Sequence, residues 1–196
     1  MKKSKKIYLL LGGARSGKST YAEGLAKKLA DKVAYLATAK ITDIEMQKRV
    51  QIHKERRPAN WKTFEISGDS NSLDDIQGVI YEIIDSDADL LLIDCMTNLI
   101  FRLMEVYEIK DSEILSNQIE KDVTEKIESF VLSLLKTIRD NPKTTIMVSN
   151  EVGLGVVPAY PLGRLFRDIS GMVNKIIAKE ADEVYFFIAG LKTKIK

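Results

Sequence analysis

The chain has 196 residues, 45% of them apolar, which is enough for one sizeable hydrophobic core and short for two. A net charge of +2 gives no general electrostatic case for a nucleic-acid or membrane-surface binder, and a single cysteine, Cys95, excludes an internal disulfide. No apolar run approaches the roughly 20 residues of a membrane helix. The expectation is one domain over residues 1–196, beginning with a solvated basic tail at 1–6, in a reducing, cytoplasmic compartment with no membrane span.

Short apolar runs alternate with longer amphipathic stretches, the pattern of a parallel sheet with helices on its faces. In chain order, residues 7–11 (IYLLL) predict a buried strand, 18–30 a helix, 32–37 a strand and 43–57 a helix. A short strand at 61–66, a helix at 73–84 and a strand at 90–94 (LLLID) follow. A long acidic helix from about 111 to 139 precedes a strand at 144–149. A loop rich in glycine and proline then leads to a helix at 162–179 and a strand at 183–188. Gly190 separates that strand from a second extended arm, a closing hairpin. Charge is unevenly spread: residues 1–62 hold 16 Lys/Arg against 5 Asp/Glu, whereas residues 63–140 hold 6 against 18. The first third is the expected home of an anionic ligand.

The strongest motif is GGARSGKS, in which Gly12 and four residues precede Gly17, Lys18 and Ser19. It has P-loop spacing and lies between a predicted strand and a predicted helix, as the motif requires. Glycines let successive backbone N–H groups turn inward around phosphate oxygens at the positive end of a helix. Lys18 is expected to reach the terminal phosphates and Ser19 to hold Mg2+. A second metal-side carboxylate is expected at the end of a neighbouring strand, where LLLID places Asp94; the alternative is an acid that only caps the next helix. VSNEVG brings Asn150 and Glu151 to the same edge, to sense phosphate, to position a nucleophile, or as an ordinary polar loop start.

The only histidine, His53, falls on the edge of an apolar stripe with Met46 and Val50 at helical spacing. Arg49, Lys54, Arg56 and Arg57 crowd around it in the sequence. Cations disfavour protonation, which predicts a neutral, nucleophilic imidazole suited to attack a nucleotide α-phosphorus. The alternative is a half-buried histidine whose arginines are merely solvated.

These motifs, with YLATA (35–39), residues 43–65, LLIDCMTNL, VSNEVGLGVVP and the stretch 164–196, closely resemble the bifunctional adenosylcobinamide kinase and adenosylcobinamide-phosphate guanylyltransferase family of cobalamin synthesis. The resemblance thins in the acidic middle, at 69–87 and 105–139. It implies a P-loop fold related to RecA, a mostly parallel sheet with helices on both faces, and a homotrimer. It also implies two reactions: ATP or GTP phosphorylates a hydroxyl of adenosylcobinamide, then GMP passes from GTP to the new phosphate through a covalent histidine intermediate. By position, His53 is that histidine, four residues after Arg49. Gly12, Gly13, Ala14, Arg15, Ser16, Gly17, Lys18 and Ser19 contact nucleotide phosphates. Ala37, Thr38 and Ala39 line the nucleotide site, and Lys54, Glu55, Arg56, Arg57, Glu65 and Asp94 hold GTP. Some relatives carry glutamate at the Asp94 position, and those with a second histidine beside the nucleophile have Ile52 here. Serving two chemistries from one triphosphate site predicts that the helix carrying His53 moves when GTP binds.

Two other readings fit the residues alone. One is a single-function small-molecule P-loop kinase, with His53 a phosphate clamp. The other is a RecA-like ATPase or switch that binds nucleic acid or a partner through its basic tail, KKSKK; no second basic stripe with stacking aromatics supports it.

Overall fold

The structure, a computed structural model, describes residues 5–67, 72–107 and 116–196. Its elements are β1 (Ile7–Gly12), α1 (Lys18–Leu29), β2 (Val33–Ala37), α2 (Ile44–Arg56), β3 (Lys62–Glu65), α3 (Leu73–Asp85), β4 (Leu90–Asp94), α4 (Met96–Val106), α5 (Asn117–Asp140), β5 (Thr144–Asn150), α6 (Pro161–Glu180), β6 (Glu183–Ile188) and β7 (Leu191–Lys194). One seven-stranded sheet runs in the order β3-β2-β4-β5-β1-β6-β7. Every strand pair is parallel except β6 with β7.

The apolar runs become strands because both faces of the sheet are covered. Along β1, Ile7, Leu9 and Leu11 join the core beneath α3, α4, α5 and α6, while Tyr8 and Leu10 pack on the other face with Ala22 and Ala26 of α1. Each side chain of leucine size so enclosed contributes about 1.5–3 kcal/mol by leaving water. Helix starts follow their capping chemistry: the side chains of Asp43, Ser72 and Ser116 accept from Met46 N, Asp75 N and Ile119 N, and Pro161 opens α6.

Helix α4 is absent from the sequence expectations, although Met96, Leu99, Ile100, Leu103 and Met104 have helical spacing and all are buried. Its eleven residues follow β4 without a turn signal, so the apolar run reads as a continuation of the strand motif. Helix α5 starts at Asn117, and residues 111–115 of its expected span lie outside the described residues. The expected hairpin forms: Ala189 and Gly190 both have positive φ, 50° and 81°, in a two-residue connection whose twist suits paired strands. Lys5 and Lys6, of the expected basic tail, stay in contact with solvent and also reach the fold. Lys5 Nζ donates to Asn141 O at 3.1 Å, and Lys6 Nζ pairs with Glu183 at 2.6 Å. Among the described residues no helix is long and apolar enough to cross a membrane.

Candidate active site

Parallel pairing of the first six strands brings the carboxyl ends of β1, β2, β4 and β5 to one edge, and the loop from β1 to α1 lies there. Gly12 has φ 150°, and a Cβ on it would stand 2.4 Å from the Phe187 carbonyl oxygen. Gly17, at φ 93°, caps α1 without a side-chain bond, so the first turn presents backbone N–H groups to an anion. Lys18 is buried, and its Nζ donates to Gly13 O at 2.7 Å, folded back across the loop. Burial holds this ammonium below the usual lysine value, opposed by nearby Cys95 and Asp94. Ser16 is buried beneath the loop, while Gly13, Ala14 and Arg15 are exposed on it.

A cleft of about 660 Å³ opens beside this loop. Arg15, Lys18, Ser19, Ala37, Ala39, His53, Arg57, Glu65, Asp94 and Asn150 of the expected set line it. Thr38, Lys54, Glu55, Arg56 and Glu151 do not line it, nor do Gly12, Gly13, Ala14, Ser16 and Gly17 of the loop itself. Thr38 is fully buried and does structural work: its Oγ1 donates to Cys95 O at 2.7 Å and accepts from Cys95 N at 2.8 Å, fixing the chain just after Asp94. Lys54 pairs with Glu65 at 2.7 Å, Glu55 accepts from Gln51 at 2.9 Å, and Arg56 donates to Thr20 Oγ1 at 3.4 Å. Glu151 turns its carboxylate back to Gly153 N at 2.6 Å, the polar-loop role. Asn150 is held at the cleft by its backbone, with its N–H donating to Thr97 Oγ1 and its carbonyl accepting from Asn174 Nδ2.

Tyr35, the first residue of YLATA, joins the site although only Ala37, Thr38 and Ala39 of that motif were expected there. Its hydroxyl donates to Asp94 Oδ2 at 2.9 Å, and the Arg57 guanidinium carbon lies 3.6 Å from the centre of its ring. Burial, with Asp94 beside it, holds the phenol well above its ordinary pKa, so it remains a donor, although Arg57 pulls the other way. Arg57 Nε and Nη1 are buried without a hydrogen-bond partner among the described residues, leaving cationic N–H groups for an anion in the cleft. Cys95, buried against Asp94, has its thiol pushed up to about 12 and is no nucleophile.

The surroundings of His53 correct the picture of an imidazole ringed by cations. Its Nδ1 lies 3.6 Å from Oε1 of Glu23, a carboxylate almost wholly buried on α1. The side chain of Arg49 lies outside the described ones. Sequence spacing along α2 revealed the cations on its own helix but not the anion thirty residues earlier, and the neighbouring helix supplies it. No described residue of α2 enters either core cluster, so this helix rests on the site by polar contacts and partial burial alone.

A model of the family described as cobinamide kinase / cobinamide phosphate guanyltransferase matches residues 8–195. The chain is 36% identical to the bifunctional adenosylcobalamin biosynthesis protein CobU of Salmonella typhimurium, over 97% of this chain and 99% of that one. It is also 36% identical to the CobU protein of Escherichia coli, over 97% and 99%, and to the CobP protein of Pseudomonas aeruginosa, over 96% of each. Among solved structures, a prototypical ATPase from the type III secretion system of pathogenic bacteria superposes with a TM-score of 0.61 at 11% identity, over 97% of this chain and 58% of that one. That likeness is one of fold alone, a mostly parallel sheet flanked by helices.

Proposed function

Because the chain belongs to the cobinamide kinase / cobinamide phosphate guanyltransferase family, we propose that one cleft performs both reactions and that His53 is the group that links them. In the first reaction a hydroxyl oxygen of adenosylcobinamide bonds to the γ-phosphorus of ATP or GTP, the bridging oxygen leaves with the nucleoside diphosphate, and the hydroxyl proton is released. The P-loop amides, Lys18 and Arg57 face the charge that gathers on the transferring group. In the second, His53 Nε2 bonds to the α-phosphorus of GTP and pyrophosphate leaves. An oxygen of cobinamide phosphate then bonds to that phosphorus, and the N–P pair returns to the ring, giving adenosylcobinamide-GDP.

One observation carries this reading: His53 and Lys18 line the same cleft although one lies on α2 and the other begins α1. A histidine serving only a helix face has no need to share a wall with a P-loop lysine. The donors Ser19 and Asp94 fit Mg2+, since both are hard oxygens on the cleft wall. No cluster of three or more metal-ligating side chains exists among the described residues, so nucleotide oxygens and water would complete the shell. Bound there, the ion would neutralise charge on the phosphates. The homotrimer and the cytoplasmic setting rest on the resemblance and on the single, buried cysteine; sedimentation of the purified chain tests the first.

Intact-protein mass spectrometry after incubation with GTP and magnesium, beside the His53→Ala variant, tests the mechanism. A GMP-sized gain that is acid-labile, alkali-stable and absent from the variant is expected. A protein that binds GTP but gains no mass would reduce His53 to a phosphate clamp and the enzyme to a kinase.

A further inference from the structure

We infer that Glu23 is the positioning residue for His53, fixing which ring nitrogen attacks the nucleotide. This rests on His53 being the GMP acceptor. Glu23 has 6% of its side chain exposed, an unusual place for a carboxylate, and among the described residues no lysine or arginine pairs with it. Both Glu23 Oε1 and His53 Nδ1 are buried and lack any hydrogen-bond partner within bonding distance among the described residues, yet they face each other at 3.6 Å. Each is the group the other needs. A closure of a few tenths of an ångström makes a bond from Nδ1–H to the carboxylate and satisfies two polar atoms whose isolation is costly.

The helices are built to hold that register. Thr20 and Glu23 are three residues apart on α1, and His53 and Arg56 are three apart on α2, so each pair spans one turn on one face. Arg56 donates to Thr20 Oγ1 at 3.4 Å while His53 faces Glu23, a two-point contact between the helices. Because α1 begins at Lys18 and Ser19, the helix that orients the imidazole is the one that holds the phosphates. Glu23 therefore ties the nucleophile to the triphosphate with no flexible loop between them.

The chemistry follows from the tautomer. A proton held on Nδ1 by the carboxylate leaves the lone pair on Nε2. When Nε2 bonds to the α-phosphorus and the bond to the pyrophosphate oxygen breaks, the ring becomes an imidazolium that keeps its Nδ1 proton. Its positive charge then lies against Glu23. When the N–P bond breaks in the second half, the electron pair returns to Nε2 and the same contact persists. Glu23 touches no substrate in this scheme and acts through His53.

The single histidine makes the test direct: in protein labelled with 15N-histidine, all imidazole nitrogen signals belong to His53. The wild-type neutral ring is expected to carry its proton on Nδ1. In Glu23→Met, similar in length but without an acceptor, the proton is expected to move to Nε2, and GMP adduct formation to slow at least about tenfold more than kinase turnover does. Glu23→Gln, which retains a polar side chain, serves if Glu23→Met fails to bind GTP, and is expected to slow guanylylation less. A wild-type protein that forms the adduct with its proton on Nε2 would overturn the role of Glu23 alone. A wild-type protein that never forms the adduct would overturn the assignment of His53 and this inference with it.

Discussion

The Tyr35 hydroxyl donates to the Asp94 carboxylate at 2.9 Å across paired strands, with β2 and β4 in a register that sets Ala37 opposite Asp94. Arg57 covers the same ring, so a cation, an aromatic and a carboxylate stack into one wall of the cleft. The carboxylate expected to approach the metal is thereby held from behind. Tyr35→Phe removes that donor and leaves the ring. It is expected to lower turnover in both reactions about three- to tenfold and to cost about 1 kcal/mol of stability, as for one bond to a partly buried acceptor. Steady-state assays over a magnesium series, with thermal melts, check it; unchanged turnover at limiting magnesium would refute the link.

Lys18 is buried, and its Nζ donates to Gly13 O across the loop. Lys18→Met keeps most of the apolar stem and removes the charge. Both phosphoryl transfer and guanylylation are expected to fall by about 100-fold or more, because the two reactions share the triphosphate grip. A variant that loses only one of them would argue for separate nucleotide sites.

Gly12 combines φ 150° with a carbonyl oxygen 2.4 Å from where a Cβ would stand. Gly12→Ala must displace β6 or the loop, and a loss of about 2–3 kcal/mol is expected from strain alone. Denaturant unfolding monitored by circular dichroism would reveal a lowered midpoint, alongside weakened nucleotide binding.

Glu183 joins the amino-terminal lysine to the closing hairpin: Lys6, Tyr185 and Lys194 all bond its carboxylate, at 2.6, 2.6 and 3.1 Å. The bond from Lys6, followed by that from Tyr185, holds its pKa down at about 2 against an ordinary 4.5. A depressed native value means stability that is present above the ordinary pKa and lost as pH falls toward the native one. Glu183→Gln is therefore expected to be less stable than wild type at pH 7, with the difference shrinking between pH 4.5 and 2. Paired thermal melts across that window check the sign.

Helix α2 contributes no described residue to the cores, whereas α1 buries Ala22 and Ala26 in one. Amide hydrogen exchange is expected to show α2 opening at far lower free energy than α1, and to gain protection there when GTP binds. Equal protection with and without GTP would count against a helix that repacks around the nucleotide.

Local physics made much of this protein readable from the residues in order. A buried parallel strand needs an unbroken apolar run, so β1, β2, β4, β5 and β6 announced themselves, and a phosphate loop needs glycines at fixed spacing before a helix, so Gly12 to Ser19 did too. Helix α4 was legible by the same rule, its apolar spacing hidden only by its junction with β4. The site's second layer was not legible. Glu23, Tyr35 and Thr38 meet His53, Asp94 and Cys95 across 30, 59 and 57 residues, distances at which periodicity carries no information. Only the order of strands in the sheet, and the docking of α2 on α1, chose those partners. The chain itself determined that a phosphate loop and a lone histidine exist; tertiary structure decided that the histidine faces a buried carboxylate, because burial and charge pairing act through space.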